Sequence, residues 1–370
     1  MNASNARRIK VLVIDDSALI RGLLTEILGQ DQDIEVVGAA QDAFVAREKI
    51  KQLEPDVLTL DVEMPRMDGL QFLRNLMRLR PMPVVMCSSL TERGADVTLT
   101  ALELGAVDFV TKPRVDIARA MESYAAEIIG KVRVASRARV RPLGTDGGAA
   151  AAGPQPVASL AERAAGGLRY RTTDQIIAIG ASTGGTEAIR EVLCRMPPDS
   201  PGIVVTQHIP KAFSGPFAAR MNTCSQLTVQ EAGDGQLILP GHCYIAPGDL
   251  HLLVERDGAR YRCRLSNADP ISHHRPSVDV LFQSVAQQVG ANAIGAILTG
   301  MGADGARGMK AMRAAGAQTI AQDERTSVVW GMPGSAVQAG AVARVLPLQQ
   351  IAEALLTAAG AKRDKVASQA

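Results

Sequence analysis

Apolar and polar residues alternate along the first third of the chain at two different spacings. Short apolar runs are separated by stretches whose apolar positions recur at helical spacing. The runs are IKVLVID, IEVVGAA, DVLTLDV, MPVVMCS and VDFVT. Strands that alternate with helices form a parallel sheet with helices on both faces, and such a sheet needs strands that are apolar almost throughout. The pattern therefore predicts a doubly wound α/β domain with five parallel strands.

A second series of the same kind begins at Gln175. The segments QIIAIGAS, GIVVTQH, AIGAILTG and QTIAQ predict strands, and helical spacing lies between them. Residues 237–265 alternate in the manner of strands and contain Asp257-Gly258, a pair typical of a hairpin turn. We therefore expect a second doubly wound α/β domain that carries an antiparallel insertion.

The segment between the two series has a different composition. Residues 127–173 include GTDGGAAAAGPQPV, rich in Gly, Ala and Pro, and show no sustained apolar period. Such a composition is typical of a flexible linker. The predicted organisation is a domain at 1–126, a linker at 127–173, a domain at 174–360 and a disordered polar tail at 361–370.

Charge and composition limit the classes of protein. The 370 residues include 40 basic and 38 acidic side chains, a balance that argues against a nucleic-acid or anionic-membrane partner. No apolar run approaches the roughly 18–20 residues of a membrane span, and the first residues lack the apolar region of a signal peptide. The five cysteines are widely spaced and form no CxxC pair, so a metal site or a disulfide framework is a poor interpretation. We expect a cytoplasmic protein.

Several polar residues stand at the ends of predicted strands in the first domain. Asp15 and Asp16 follow the first strand, Asp61 ends the third, Ser88 the fourth and Lys112 the fifth. The carboxyl ends of parallel strands share one edge of the sheet, where open α/β sheets place their sites. Clustered carboxylates repel one another and need a cation, for which Mg²⁺ is suited. Helix N-caps are the alternative interpretation of each acid taken singly.

The segment IIAIGASTGGTEAI in the second domain predicts a strand, a glycine-rich turn and a helix. A phosphate-binding loop is one interpretation, but Gly180, Gly184 and Gly185 do not form GxGxxG, and no P-loop lysine follows. The other interpretation is a nucleophile turn. Ser182 would then stand at a helix N-terminus, where backbone N–H groups stabilise a developing oxyanion.

Two further residues complete a catalytic pattern with Ser182. His208 ends the next strand, in VVTQHIP, and Asp304 follows the strand AIGAILT. All three lie at carboxyl ends of predicted parallel strands, so the fold should bring them together as a Ser–His–Asp triad. Singly, they could be a turn hydroxyl, a loop histidine and a helix N-cap. Asp279 is a rival for the triad acid, although it falls at a predicted helix start.

The first domain resembles the receiver domains of two-component systems, which have a flavodoxin-like fold. VLVIDDSALIR, LTLDVEMPRMDGL, PVVMCSS and DFVTKP are similar to the signature segments of that family, over residues 8–125. The resemblance implies that Asp61 accepts a phosphoryl group from a histidine kinase. It also implies a Mg²⁺ ion bound by Asp15, Asp16, Asp61 and the backbone carbonyl of Glu63.

The same resemblance implies a switch around the phosphorylation site. Lys112 would contact the phosphoryl oxygens, Ser88 would hydrogen-bond to them, and Phe109 would move with the switch. The strand register favours Ser88 over Ser89 for this role. A cis peptide bond is expected at Lys112-Pro113, as in the family.

The second domain resembles the chemotaxis protein-glutamate methylesterases. IGASTGGTEAI, TQHIP, YIAPGDLHL, HRPSVDVLF, ILTGMGADG and GMPGSA carry the similarity, over residues 176–345. The family implies a Rossmann-like esterase domain that hydrolyses γ-glutamyl methyl esters on chemoreceptors, releases methanol and deamidates particular receptor glutamines. The order of receiver, linker and esterase domain also matches that family.

The family mechanism assigns roles to matching residues of this chain. Ser182 would attack the ester carbonyl, His208 would take its proton and Asp304 would orient the imidazole. Backbone N–H groups of Thr183 and Met301 would form the oxyanion hole. The family motif also includes His274 and Arg275, which are candidates for the receptor groove, with a purely structural loop as the alternative.

The resemblance implies partners as well. We expect chemoreceptors as substrate, a CheA-type histidine kinase as phosphodonor, and a monomer that binds no nucleic acid and does not insert into a membrane. Mg²⁺ would serve the receiver, and the esterase would need no cofactor. A DNA-binding regulator is the main alternative outside the enzymes, but residues 175–350 are strand- and glycine-rich rather than helix-turn-helix-like. An inactive receptor-binding adaptor is the other, and the intact triad residues argue against it.

Overall fold

The computed structural model describes residues 7–88, 91–112, 118–138, 140 and 175–368. Its first sheet has five parallel strands in the order β2-β1-β3-β4-β5. The strands are β1 (Ile9–Ile14), β2 (Ile34–Ala40), β3 (Val57–Asp61), β4 (Val84–Ser88) and β5 (Asp108–Thr111). The sheet matches the predicted doubly wound domain, and β3 and β4 are buried throughout.

Five helices cover this sheet, and side-chain caps begin several of them. They are α1 (Ala18–Gly29), α2 (Ala43–Leu53), α3 (Gly69–Leu79), α4 (Glu92–Glu103) and α5 (Ala118–Ala135). Ser17, Asp42 and Asp68 each accept a hydrogen bond from a backbone N–H in the first turn of α1, α2 and α3. The caps define where each helix begins after the strand that precedes it.

The last helix of the first domain continues past the predicted domain boundary. α5 continues to Ala135, so residues 127–135 are helical rather than linker. Ile128 and Val132 explain the difference, because both are fully buried against the first sheet. The rest of the predicted linker falls largely outside the described residues. Pro113 and Ser89 also lie outside them, and a cis X-Pro bond is present at Arg275-Pro276.

The second sheet has seven parallel strands in the order β14-β13-β12-β6-β7-β9-β8. Its strands are β6 (Ile176–Ala181), β7 (Gly202–Gln207), β8 (Thr228–Glu231), β9 (His242–Ile245), β12 (Ala293–Ile297), β13 (Gln318–Gln322) and β14 (Arg344–Leu346). The helices are α6 (Gly185–Leu193), α7 (Lys211–Cys224), α8 (Val278–Gln288), α9 (Ala306–Ala314), α10 (Met332–Gln338) and α11 (Leu348–Ser368), with a 3₁₀ turn at Gly290–Asn292.

The antiparallel insertion is present but shorter than expected. β10 (His251–Asp257) and β11 (Arg260–Ser266) pair antiparallel, and the turn residues Gly258 and Ala259 join them. β9, which lies inside the predicted insertion, instead pairs in parallel with β7 in the main sheet. The segment HCYI is apolar enough to be buried on both faces of a sheet. The alternation of apolar and polar residues did not reveal that it pairs with β7.

The last helix extends into the predicted C-terminal tail. α11 runs to Ser368, so 361–368 are helical, whereas the sequence analysis predicted a disordered tail there. Ile351 and Leu355 anchor the helix in the core of the second domain. Beyond them the chain is rich in Ala, Lys and Arg, residues with a high intrinsic preference for helix.

Candidate active site and phosphorylation site

The carboxyl edge of the second sheet carries the predicted triad. β6 and β7 pair so that Ala181 faces Gln207, which places the next residues, Ser182 and His208, side by side. Asp304 lies beyond β12, the neighbour of β6 on its other side. Three connections that leave adjacent parallel strands thus converge at one edge, as the sequence predicted.

Hydrogen bonds join the three side chains in one line. His208 Nδ1 lies 3.1 Å from Ser182 Oγ. The other ring nitrogen, Nε2, lies 2.8 Å from Asp304 Oδ2. With Nε2–H donated to the carboxylate, Nδ1 is free to accept the serine proton. The geometry is that of a nucleophile, a general base and a residue that orients the base.

Asp304 is held by the start of helix α8. Its Oδ1 accepts from Ser277 Oγ at 2.9 Å and from the Asp279 N–H at 3.1 Å, and its Oδ2 accepts from the Val278 N–H at 2.7 Å. Burial alone would raise the pKa of this carboxyl, but the hydrogen bond to His208, the charge of that ring and the donors at Val278 and Ser277 lower it to about 2. Asp304 is therefore a carboxylate at every physiological pH.

Ser277 was not recognised as a site residue from the sequence. It caps α8, because its side chain accepts from the Val280 N–H, and the same hydroxyl donates to Asp304. A serine directly before an apolar helical pattern is a visible N-cap signal. What the sequence does not show is that the capped helix end points at Asp304.

Asp279, the rival acid, makes other contacts. Its Oδ2 pairs with Arg307 Nε at 2.9 Å, and its Oδ1 accepts from the Gly308 N–H at 2.8 Å. These bonds tie α8 to α9. The structure therefore brings Asp304, and not Asp279, to the histidine.

The turn that carries Ser182 lies close to the backbone of the loop after β12. Gly184 has a φ of +73°, and a Cβ on Gly300 would lie 2.8 Å from the Ser182 Cβ. The Ser182 N–H donates to the Thr299 carbonyl at 3.0 Å, which fixes the turn against the strand end. In the part of the chain that the structure describes, neither the Thr183 nor the Met301 backbone N–H donates to another residue.

Gln207 is a second residue that the sequence analysis missed. Its side chain is buried, and its Nε2 donates to the Ser182 carbonyl at 2.9 Å and to the His208 carbonyl at 3.3 Å. It therefore ties together the two loops that carry Ser182 and His208. A glutamine directly before the histidine, at the end of an apolar strand, was the available signal.

The two groove candidates have different surroundings. The ring of His274 stacks on that of His208, with centroids 3.7 Å apart. Arg275 Nη1 donates to the carbonyls of Asn267 and Ala268, at 3.0 and 3.2 Å. The guanidinium is thus bound within its own loop, and a role in the groove stays a prediction.

The first sheet carries the predicted acidic pocket at its own carboxyl edge. Carboxylate oxygens of Asp15, Asp16 and Asp61 lie within 4.8 Å of one another. Lys112 Nζ contacts Asp61 Oδ1 at 2.8 Å and Asp15 Oδ2 at 3.0 Å. The Glu63 N–H donates to Asp61 Oδ1 at 3.2 Å, which brings that backbone to the pocket.

The chemistry of this pocket fits a divalent cation. Burial raises the pKa of Asp61 to about 6, with Asp15 adding to the effect and Lys112 opposing it. Among the described residues, the buried Asp61 Oδ2 has no hydrogen-bond partner. A hard cation would supply both the missing partner and the missing positive charge.

The remaining receiver residues lie along the edge that leads from this pocket. The Ser88 hydroxyl donates to the Gly94 carbonyl at 3.2 Å, so it faces the start of α4. The Ser88 carbonyl accepts from the Lys112 N–H at 2.7 Å. Phe109 stacks on Phe213, a residue of α7 in the second domain, with centroids 4.5 Å apart.

Known proteins are similar to this chain over both domains. The family model CheB methylesterase matches residues 177–355, and the model Response regulator receiver domain matches residues 11–123. A protein-glutamate methylesterase/protein-glutamine glutaminase of Xanthomonas euvesicatoria is 59% identical over 94% of this chain and 96% of its own length. One of Geobacter metallireducens is 58% identical over 93% of this chain and 94% of its own length. The solved CheB methylesterase catalytic domain of Thermotoga maritima is 39% identical, covers 50% of this chain and 97% of its own, and has a TM-score of 0.49.

The chain belongs to the protein-glutamate methylesterase/protein-glutamine glutaminase family. The identity extends over both domains of full-length relatives, so it includes the receiver as well as the esterase. The predicted fold class, family and enzyme class are confirmed. Among the described helices, none is both long and apolar enough to cross a membrane.

The receiver of this methylesterase contacts the edge that bears the triad. The Thr183 hydroxyl, next to Ser182, donates to Asp108 Oδ2 of the receiver. A Cβ on Gly130 of α5 would lie 3.5 Å from Met301 Cε. Farther out, Arg220 of α7 pairs with Glu103 of α4. The contact face of the receiver is thus formed by α4, β5 and α5.

Proposed function

We propose that Ser182, His208 and Asp304 perform the methylesterase and glutaminase reactions, on glutamate 5-methyl esters and glutamines of chemoreceptors. The observation that carries the proposal is the unbroken hydrogen-bonded line from Ser182 Oγ to Asp304. It occurs in a chain 59% identical to a named methylesterase/glutaminase.

The reaction follows from the directions of these bonds. Ser182 Oγ attacks the ester carbonyl carbon while its proton passes to His208 Nδ1, and Asp304 stabilises the imidazolium. The imidazolium then protonates the departing methoxide, which leaves as methanol. Water attacks the acyl-enzyme carbonyl and gives a proton to His208 Nδ1. The bond from the carbonyl carbon to Ser182 Oγ then breaks, the imidazolium returns the proton to Ser182 Oγ, and the glutamate is released. With a glutamine substrate the group that departs in the first step is ammonia.

Two backbone groups stabilise the tetrahedral oxyanion in this scheme. The N–H groups of Thr183 and Met301 are the candidates, and they are unused by other protein groups in the described residues. Such pre-oriented donors act on charge that develops only in the transition state. The close approach of Gly300, which directly precedes Met301, to Ser182 supports the assignment.

The receiver domain takes up the phosphoryl group at Asp61 in this proposal. Asp15, Asp16 and the Glu63 carbonyl would join Asp61 around Mg²⁺, which would neutralise charge on the incoming group. Lys112, already 2.8 Å from Asp61, would contact the phosphoryl oxygens. A histidine kinase of the CheA type is the proposed donor.

Phosphorylation would be transmitted to the domain contact. The Ser88 hydroxyl would leave the Gly94 carbonyl for the phosphoryl group, and Phe109 would leave Phe213. Either change would weaken the contact between the receiver and the Thr183 turn. The unphosphorylated receiver would thus limit access of a bulky receptor helix to Ser182, and phosphorylation would shift the population toward the open arrangement.

His274 and Arg275 remain the proposed groove residues. They follow the insertion strands, and the ring of His274 lies against that of His208. A receptor helix bound in the groove would place its side chains beside the loop that carries His274 and Arg275.

Methanol release from methylated receptor membranes tests the proposal. We expect release by the full chain, an increase with a small phosphodonor, and none from Ser182→Ala. Residues 173–370 alone should be faster than the unphosphorylated full chain. If the isolated domain were no faster, the receiver would act by direct activation or recruitment rather than by obstruction.

A further inference from the structure

The imidazole of His208 has a second histidine against its face. The rings of His208 and His274 are 3.7 Å apart between centroids, and their planes differ by 12°. Ser182 and Asp304 contact only the edge of the His208 ring, through its two nitrogens. Hydrogen bonds at the two nitrogens still allow the His208 ring to rotate about the line that joins them. A second ring packed on its face opposes that rotation.

We propose that His274 is a positioning residue for the general base. It holds the His208 ring in the plane in which Nδ1 faces Ser182 and Nε2 faces Asp304. The inference rests on the proposed function, because orientation of this ring matters for rate only if His208 transfers the proton.

A short loop, residues 269–277 (the strap), presents His274 to the base. Within it the Ile271 N–H donates to the His274 carbonyl at 3.1 Å, and the His274 N–H donates back to Ile271 at 2.9 Å. Ser272 and His273, between them, have φ of 52° and 66°. This tight turn fixes the backbone of His274 and therefore the point from which its side chain extends.

One buried side chain clamps both ends of the strap. His251, at the start of β10, donates from Nε2 to the Asp269 carbonyl at 3.1 Å. Its Nδ1 accepts the Ser277 N–H, also at 3.1 Å. A ring that donates at one nitrogen and accepts at the other is neutral. His251 therefore fixes the strap to the rigid hairpin of β10 and β11.

The strap also ends at the triad acid. Ser277 N–H is held by His251, and Ser277 Oγ donates to Asp304 Oδ1 at 2.9 Å. The same loop thus contacts the base through His274 and the acid through Ser277. Packing and hydrogen bonding that lock a catalytic side chain from behind are what precise orientation requires.

His274 is suited to lie beside a ring that becomes cationic. Burial, and then the nearby His208, lowers the pKa of His274 to about 4, so the ring is neutral at neutral pH. Lys131 and His273 act in the same direction, and Asp304 opposes them. A neutral aromatic face does not repel the imidazolium that forms on His208, and its π system attracts it.

Three variants of the full chain, activated with acetyl phosphate, test the inference. His274→Ala removes the stacked ring, His274→Phe retains one, and His242→Ala changes a histidine at the start of β9, outside the strap. Initial rates of methanol release against receptor concentration give kcat and KM. For His274→Ala we expect kcat to fall about 10- to 100-fold, as for a small misplacement of a reacting group, with KM within about twofold.

The matched variants separate stacking from other roles. His274→Phe should recover most of kcat, and His242→Ala should resemble the parent. A raised KM with unchanged kcat in His274→Ala would overturn the positioning role and leave His274 with the groove contact alone. A phenylalanine variant as slow as the alanine variant would overturn it as well.

Covalent labelling of Ser182 gives a readout without receptor. A fluorophosphonate probe forms a bond from phosphorus to Ser182 Oγ with loss of fluoride, and it needs only an oriented base. We expect slow labelling of His274→Ala, near-normal labelling of His274→Phe and unchanged melting temperatures. Labelling of His274→Ala at the parent rate would contradict positioning. Turnover or labelling in Ser182→Ala would instead contradict the proposed function itself.

Discussion

The hydroxyl of Thr183 donates a hydrogen bond to the carboxylate of Asp108, which joins the nucleophile turn to the receiver. Asp108 also accepts from the Phe109 N–H at 2.8 Å and pairs with Lys131 at 3.3 Å. The Lys131 ammonium lies 5.1 Å from the centre of the Phe109 ring. A movement of Phe109 on phosphorylation would therefore disturb the group that holds Thr183.

The first prediction concerns this bond. Asp108→Asn and Thr183→Val each remove a charge-assisted hydrogen bond, an interaction of about 1.5–3 kcal/mol. The closed arrangement should lose population, so methanol release without phosphodonor should rise by roughly tenfold, and the response to phosphodonor should shrink. Thr223→Val, at an exposed threonine of α7, is the matched control. Unchanged resting rates in both variants would mean that the bond does not restrain the enzyme.

The second prediction concerns the triad. Ser182→Ala should abolish turnover with the fold retained, because triad members act as a unit that contributes several orders of magnitude. Asp304→Asn should be less severe, although it places an amide against His208 Nε2 and disturbs the required tautomer. Ser225→Ala, at a serine remote from the site, is the control. Parent-like methanol release from Ser182→Ala would refute the nucleophile assignment.

The third prediction concerns the phosphorylation site. Asp61→Asn removes the attacking carboxylate, so the full chain should incorporate no phosphoryl group and should not respond to acetyl phosphate. Its resting methanol release should persist, since the triad lies in the other domain. Asp56→Asn, at a carboxylate that bonds Arg7 and the Lys10 N–H outside the pocket, is the control. Normal phosphodonor activation of Asp61→Asn would contradict the assignment.

The fourth prediction is a pH dependence of stability without Mg²⁺. Burial raises the folded-state pKa of Asp61 from 3.8 to about 6. The folded receiver therefore holds this proton where the unfolded chain has lost it. The stabilisation is complete below about pH 4 and is lost as the pH rises to about 6, by roughly 1–3 kcal/mol.

Subtraction isolates this effect. His274, whose pKa is lowered to about 4, has the opposite effect: the stability that its neutral ring contributes to the folded protein is lost as the pH falls below the usual histidine pKa of 6.5. Asp61→Asn keeps the contribution of His274. The free energy of unfolding of the parent minus that of the variant should therefore vary with pH only through Asp61. Mg²⁺ should stabilise the parent at pH 7.5 more than at pH 5, since it binds the ionised carboxylate. A parent-minus-variant difference that is flat from pH 4 to 6.5 would show that the raised pKa is absent.

Some of the site was accessible from local sequence. Ser182 and His208 stand at the ends of apolar strands, and adjacent parallel strands must end at one edge. Ser277 and Gln207 have equally local signals, an N-cap position and a strand end. Their contacts with Asp304 and with the two loop carbonyls depend on how α8 and the loops pack, so the signals alone did not identify them.

Apolar period and strand ends are properties of consecutive residues, so local patterns were enough to predict the two doubly wound domains, the acidic pocket and the proposed triad. Four features became visible only in the packed fold: the pairing of β9 with β7, the contact of Asp304 rather than Asp279 with His208, the stack of His274 on His208 and the bond of Asp108 to Thr183. Each of these joins segments that lie far apart in the chain. Such contacts depend on shape complementarity and on burial at a packed interface, and no local pattern of residues encodes them.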